Sequence, residues 1–249
     1  MFTPEERDRV RKHLLECAQA DRRITGAAIT GAAAAGREDN WSDIDLAFGI
    51  RNTDELQDAV SDWTARMYEE HSAVHHVDLA FGAWLYRVFL LGNTLQVDLA
   101  FTPEAEFRAL APTFRLIFGQ AAESRHLPLT PPEELIGLAW LHALHARTCI
   151  ARKRFWQAEF MISGARDNAL ALACLRRDLP SVHGRGVDML PTEVRATFEE
   201  SLVRELTTTE LSRAFRAVTD GLLSEIRVVD LRLAERLRPV LTRLTETSH

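Results

Sequence analysis

Two periods of hydrophobic and polar residues organise this chain. Val10, Leu14, Cys17 and Ala18 recur at helical spacing, which predicts a helix over 3–20. Thr3 can cap it, Pro4 suits its first turn and Glu6 completes a capping box. Strand-like runs follow at 24–30 and 44–50, separated by the small-residue turn GAAAAG at 31–36. Leu56, Val60, Trp63 and Met67 mark an amphipathic helix over 54–70. Three more strands are predicted at 74–81, 85–91 and 95–101, with Gly82 and Gly92-Asn93 as the breaks. After Pro112 the pattern changes. LPLTPPEE, 127–134, carries three prolines and reads as a linker. Beyond it, 133–150, 153–177, 192–206 and 208–243 are helix-compatible, with one loop at 181–191. The predicted class is α+β: a mixed sheet with helices over 1–126, then an all-α helical bundle over 127–249.

Composition narrows the function classes. An apolar fraction of 46% and a charged fraction of 27% are ordinary for a globular chain. The net charge of −6 argues against a nucleic-acid partner. That charge is uneven: 13 Lys+Arg against 20 Asp+Glu up to residue 130, and 17 against 16 after it. Cys17, Cys149 and Cys174 are odd in number and far apart, so they read as reduced thiols in a cytoplasm. No apolar run is long enough for a bilayer, and the N-terminus lacks an apolar signal core. The expectation is a cytoplasmic protein with no membrane partner.

The chemistry lies in "SDIDLAFGI", residues 42–50. Asp43 and Asp45 are two apart on a strand, so they leave the same face, while Ile44, Leu46 and Phe48 leave the other. Two neighbouring carboxylates repel unless a cation lies between them, and Mg²⁺, which takes oxygen ligands and shares its shell with phosphates, is the natural one. The tetrapeptide DLAF occurs three times, at Asp45, Asp78 and Asp98. The flanking residues differ, so the copies read as strand composition, not duplication. Asp98 repeats the layout of Asp45, and if their strands are neighbours three carboxylates converge. Asp78 is the competitor for the third place. His75 and His76 beside it leave opposite faces of a strand, which argues against a shared metal. Upstream, the small residues from Gly31 to Gly36 would let backbone N–H groups approach phosphate oxygens. Arg37 could add a charge there.

"TGAAAAGREDNWSDIDLAFG" followed by "RVFLLGNTLQVDLAF" resembles the DNA polymerase beta-like nucleotidyltransferase superfamily. In that pattern a Gly-Ser turn precedes Asp-x-Asp, and a third carboxylate follows on a later strand. The similarity covers roughly 24–101 and extends to the layout of aminoglycoside and lincosamide nucleotidyltransferases, a catalytic domain followed by helices. It implies Asp43 and Asp45 as metal ligands, Asp98 as third ligand or as base, and Gly31 at the triphosphate. Ala32 replaces the usual serine, so a hydroxyl contact to phosphate is missing. The implied activity is Mg²⁺-dependent transfer of a nucleoside monophosphate, AMP from ATP, to a hydroxyl of a small-molecule acceptor, with antibiotics among the candidates. Alternatives are a protein-modifying, toxin-neutralising nucleotidyltransferase and a non-catalytic nucleotide-binding module, which Ala32 would suit.

Between 147 and 177, seven Lys+Arg stand against two Asp+Glu. Arg152, Lys153, Arg154 and Arg166 are candidates to meet a triphosphate. Glu159 is a candidate acid there, and Trp156, Phe160 and Met161 read as core.

Overall fold

The structure is a computed structural model describing residues 1–246. The chain forms two compact units, Met1–Leu127 and a second that begins at Pro128.

The first unit is built on a six-stranded sheet. Its strands are β1 (Ile24–Thr30), β2 (Ile44–Ile50), β3 (Ala73–Phe81), β4 (Trp84–Leu91), β5 (Gln96–Pro103) and β6 (Phe114–Phe118), in the spatial order β3-β4-β5-β2-β1-β6. Only β2 and β5 pair in parallel; every other pair is antiparallel. Three helices complete the unit: α1 (Pro4–Ala20), the four-residue α2 (Gly31–Ala34) and α3 (Leu56–His71). Thr3 and Glu6 form the capping box of α1. The main core joins Leu14 and Ala18 of α1 and Val60, Trp63 and Met67 of α3 to Ile44, Leu46, Phe48, Val97, Leu99 and Phe101. Phe48 is fully buried there, with ring centroids 4.8 Å from Trp63 and 5.6 Å from Phe101.

Three local expectations change in this unit. The 31–36 turn contains a single helical turn, α2, before it closes at Gly36. The helix expected from Asp54 starts at Leu56, after a 3₁₀ turn over Thr53–Glu55. Strand β6 was not expected. Its five residues, FRLIF, are too short for a readable period, yet they pair with β1 from Ala27 to Thr30.

The second unit contains α4 (Pro132–Ala151), α5 (Phe155–Leu175), α6 (Thr192–Glu199), α7 (Thr208–Val229) and α8 (Leu231–Thr245). The helix expected over 208–243 is two helices. Asp230 is extended (φ −148°, ψ 100°), and its carboxylate accepts the Leu233 amide 2.9 Å away, which caps α8. The helix expected over 192–206 ends at Glu199 because Arg213 takes the carbonyls of Glu200 and Leu202. Buried Glu225 pairs with Arg176 at 2.8 Å and Arg177 at 3.5 Å. Trp156 and Phe160 are not core: they are 79% and 65% exposed on successive turns of α5. The buried stripe of that helix runs through Ala158, Ile162, Ala165, Ala169 and Leu172, while Met161 packs against the core from its edge.

No helix among the described residues is long and apolar enough to cross a membrane.

Replacing Phe48 by Ala removes the ring that joins β2, β5 and α3. It is expected to lower stability by about 3–5 kcal/mol, seen as a lower urea midpoint with little change in slope.

Candidate active site

The parallel pairing of β2 with β5 sets the geometry. Asp45 lies opposite Asp98, Leu46 opposite Leu99, Ala47 opposite Ala100 and Phe48 opposite Phe101. The first and third DLAF copies therefore lie side by side, in register. Leu and Phe of both copies enter the main core, so alternation sends both aspartates to the other face. Asp43, one residue before β2, joins them. One carboxylate oxygen from each of Asp43, Asp45 and Asp98 lies within 4.8 Å of the others, and all three residues are half-buried.

Asp78 is elsewhere. It lies opposite Arg87, which in turn lies opposite Leu99, so it shares the helix-covered face. Arg87 donates to both its oxygens at 2.6 Å and reaches Thr64 of α3. This pairing holds the Asp78 carboxyl below the usual range. His76 contacts the Tyr68 hydroxyl at 2.9 Å through Nδ1, on the same covered side.

Gln96 ties the acidic cluster together. Its amide donates to Asp98 Oδ1 at 2.9 Å and to Asp43 Oδ2 at 3.4 Å. Burial pushes the Asp98 carboxyl up to about 6; the Gln96 hydrogen bond opposes the shift and the charge of Asp43 adds to it. Gln96 was not singled out from the sequence, although it is two residues before Asp98 and so leaves the same face.

Gly31 follows β1 and opens α2 against this cluster. Its φ is +62°, and a Cβ there would lie 1.8 Å from Asp45 Oδ2. Both the backbone conformation and the space require glycine. Ala32 follows half-buried and Ala33 buried, while the Arg37 side chain is exposed. The Arg37 amide donates to the Ala32 carbonyl at 3.0 Å.

The segment leading into Asp43 is anchored from α1. Arg7 is buried, and its guanidinium donates to the carbonyls of Asp39 at 2.6 Å and Ser42 at 3.2 Å. Asp39 accepts the Trp41 amide and the Ser42 hydroxyl, which holds its carboxyl below the usual range. Arg7 also escaped the sequence reading. The signal was there: it is seven residues before Leu14 on the buried stripe of α1.

The basic candidates belong to the second unit. Lys153 has φ +55° in the turn between α4 and α5, and Arg154 holds the N-cap position of α5. Lys153 lines a cavity of about 240 Å³ with Arg147, Ile150, Thr208 and Ser212. Arg166 is engaged within its own unit, donating to the Ser163 hydroxyl and the Ser201 carbonyl. Ser163 in turn donates to Glu159 at 2.6 Å.

No known protein family matches the chain, and no curated protein matches it. Among solved structures, an aminoglycoside 6-adenyltransferase from Bacillus subtilis is similar over 99% of this chain and 100% of its own, with 10% identity and a TM-score of 0.42. At that identity and TM-score the likeness carries no weight for chemistry, which rests on the residues described above.

Two outcomes follow from this geometry. Gly31→Ala should displace the Asp45 carboxylate and weaken divalent-cation binding at least tenfold, read by calorimetry with Mg²⁺ or Mn²⁺. The pH dependence of stability in chelator has a defined sign. The folded chain keeps the Asp98 proton up to about 6, whereas an ordinary aspartate releases it near 3.8. The native state binds more protons in that window, so this contribution is full below the lower value and is lost as pH rises through the upper one. Asp98→Asn should flatten the urea-midpoint profile between about pH 4 and 6, removing a change of at most about 3 kcal/mol.

Proposed function

We propose that this chain is a nucleotidyltransferase that moves a nucleoside monophosphate, AMP from ATP, to a hydroxyl of a small-molecule acceptor. The observation that carries this reading is the in-register meeting of Asp45 and Asp98, with Asp43 alongside, against a glycine that admits no side chain. The donor set is all carboxylate oxygen, which fits Mg²⁺ better than metals that favour nitrogen or sulfur. Asp43 and Asp45 would hold that ion, which leaves Asp98 beside them as the base. Bound there, Mg²⁺ supplies charge neutralisation for the triphosphate.

The protein's own groups divide the remaining work. Gly31 lets the Asp45 carboxylate pack directly against the backbone, and Ala32 offers a phosphate only its backbone. Arg37, which follows the Gly31 turn, is the proposed cationic contact for the triphosphate. The acceptor hydroxyl oxygen attacks the α-phosphorus. The bond from that phosphorus to the oxygen bridging to the β-phosphate breaks, and pyrophosphate leaves. The hydroxyl proton passes to Asp98. The excess of acid in the first half of the chain suits a cationic acceptor. The unpaired thiols of Cys17, Cys149 and Cys174 support a reducing, cytoplasmic setting.

Calorimetry with ATP, with and without Mg²⁺, tests the site. Binding should require Mg²⁺ and weaken at least a hundredfold in Asp43→Asn/Asp45→Asn. Pyrophosphate release with a panel of cationic polyhydroxylated acceptors should fall by about 10²–10⁴ in Asp98→Asn. ATP binding that ignores both Mg²⁺ and the double substitution would overturn the proposal. Mg²⁺-dependent binding without transfer to any acceptor would favour the non-catalytic nucleotide-binding alternative.

A further inference from the structure

The acidic cluster uses one face of the sheet. On the other face, α1 and the end of α3 bring together a second group of ligand-type side chains. His13 comes from α1; Glu70 and His71 come from the last turn of α3. One ligand atom from each lies within 4.8 Å of the others. His13 Nδ1 is 3.1 Å from His71 Nε2, and the rings are tilted 52° with centroids 5.1 Å apart. The imidazoles thus meet nitrogen to nitrogen, not face to face. The other ring nitrogen of His13 faces Cys17 Sγ at 3.5 Å and Glu70 Oε2 at 3.8 Å.

We propose that His13, Glu70 and His71 form a second divalent-metal site, of the Zn²⁺ type, that clamps α1 to the C-terminal end of α3. Tetrahedral Zn²⁺ with bonds of about 2.0–2.1 Å separates its ligand atoms by about 3.4 Å, and the facing nitrogens are already close to that spacing. Without a metal, these two nitrogens share a single hydrogen. A metal ion replaces that hydrogen and accepts both lone pairs. Imidazole with carboxylate suits Zn²⁺ and its transition-metal neighbours, whereas Mg²⁺ prefers oxygen alone.

The surroundings are compatible. Ligating histidines normally have a partner on their second nitrogen that fixes the tautomer, and Cys17 Sγ lies 3.5 Å from that nitrogen of His13. Three protein ligands leave a fourth position for water. The side chains of His13 and Glu70 are 45% and 42% exposed, so an ion can enter without unfolding. His71 is less exposed and provides the fixed point. Among the described residues, Arg66 is the cation in contact with the group. Its Nη1 is 3.5 Å from Glu70 Oε1 and 2.9 Å from Cys17 Sγ. It engages the Glu70 oxygen other than the one nearest His13.

Zinc titration of the chelator-treated full chain tests this, with calorimetry and thermal unfolding as readouts. Asp43→Asn/Asp98→Asn serves as the background in which the acidic cluster cannot compete. One equivalent of Zn²⁺ should bind in the unsubstituted chain and in that background, and it should raise Tm in both. His13→Gln and His71→Gln should each weaken binding at least tenfold and remove the rise in Tm. Should His71→Gln fail to fold, the more exposed His13→Gln decides. A folded chain that takes up no zinc overturns the proposal. So does zinc binding that survives both histidine substitutions, or that disappears only with Asp43 and Asp98. Because the probe is zinc and the readout is stability, the result is independent of any nucleotidyl transfer.

Discussion

The register between β2 and β5 is the constraint on which the candidate active site depends. It is set by the core beneath the site. Leu46 beside Leu99 and Phe48 beside Phe101 are buried against α1 and α3. A slip of one residue would exchange the two faces of the moved strand. It would carry a carboxylate into that core and a leucine and a phenylalanine out of it. Each buried apolar side chain contributes roughly 1.5–3 kcal/mol, and an unpaired buried carboxylate costs several more. Hydrophobic burial therefore holds Asp45 against Asp98, although the two charges repel.

The same geometry explains why a cation fits. Two carboxylates with oxygens within 4.8 Å of each other repel by on the order of 3 kcal/mol or more at an effective dielectric constant near 20. Gln96 relieves part of this through two hydrogen bonds, and Asp98 relieves more by keeping its proton up to about 6. Moving the carboxylates apart is resisted by the strand pairing. On the side of Gly31, Asp45 is packed so closely that a Cβ has no room. A divalent ion bound as proposed would neutralise the cluster without any strand moving.

Much of this was legible in the sequence because it follows from periodicity. The strand-like runs at 24–30 and 44–50 have the bounds of β1 and β2, the second marked by alternation of Asp with Leu and Phe. That alternation also put Asp43, Asp45 and Asp98 on faces where they could meet. Periodicity could not say which strands are neighbours, so Asp78 remained a rival until β3 proved to be an edge strand, with Asp78 paired to Arg87. The errors have local causes. The break at Asp230 interrupts no apolar period; it depends on one cap. Trp156 and Phe160 read as core, but the buried stripe of α5 runs through Ala158, Ile162, Ala165, Ala169 and Leu172 and leaves both rings outside it. Arg7 and Gln96 act through contacts distant in sequence, with carbonyls near residue 40 and with Asp43 respectively. The His13–His71 contact spans 58 residues and follows no motif spacing.

The two ligand clusters differ in chemistry and in place, and each difference reinforces the other. Asp43, Asp45 and Asp98 offer only oxygen, on the face of the sheet opposite α1 and α3. His13, Glu70 and His71 offer two imidazoles and one carboxylate on those helices. Hard and borderline cations are sorted by such donor sets more than by overall charge. Between the clusters lies the main core, including Leu14, Met67, Leu46 and Leu99, which is closely packed and contributes no ligands. An ion at one cluster therefore has no route through the sheet to the other. What links them is mechanical: α1 carries His13 to the second cluster, and through Arg7 it also anchors the segment that delivers Asp43 to the first. Clamping α1 would firm the entry to the acidic cluster without adding a ligand to it.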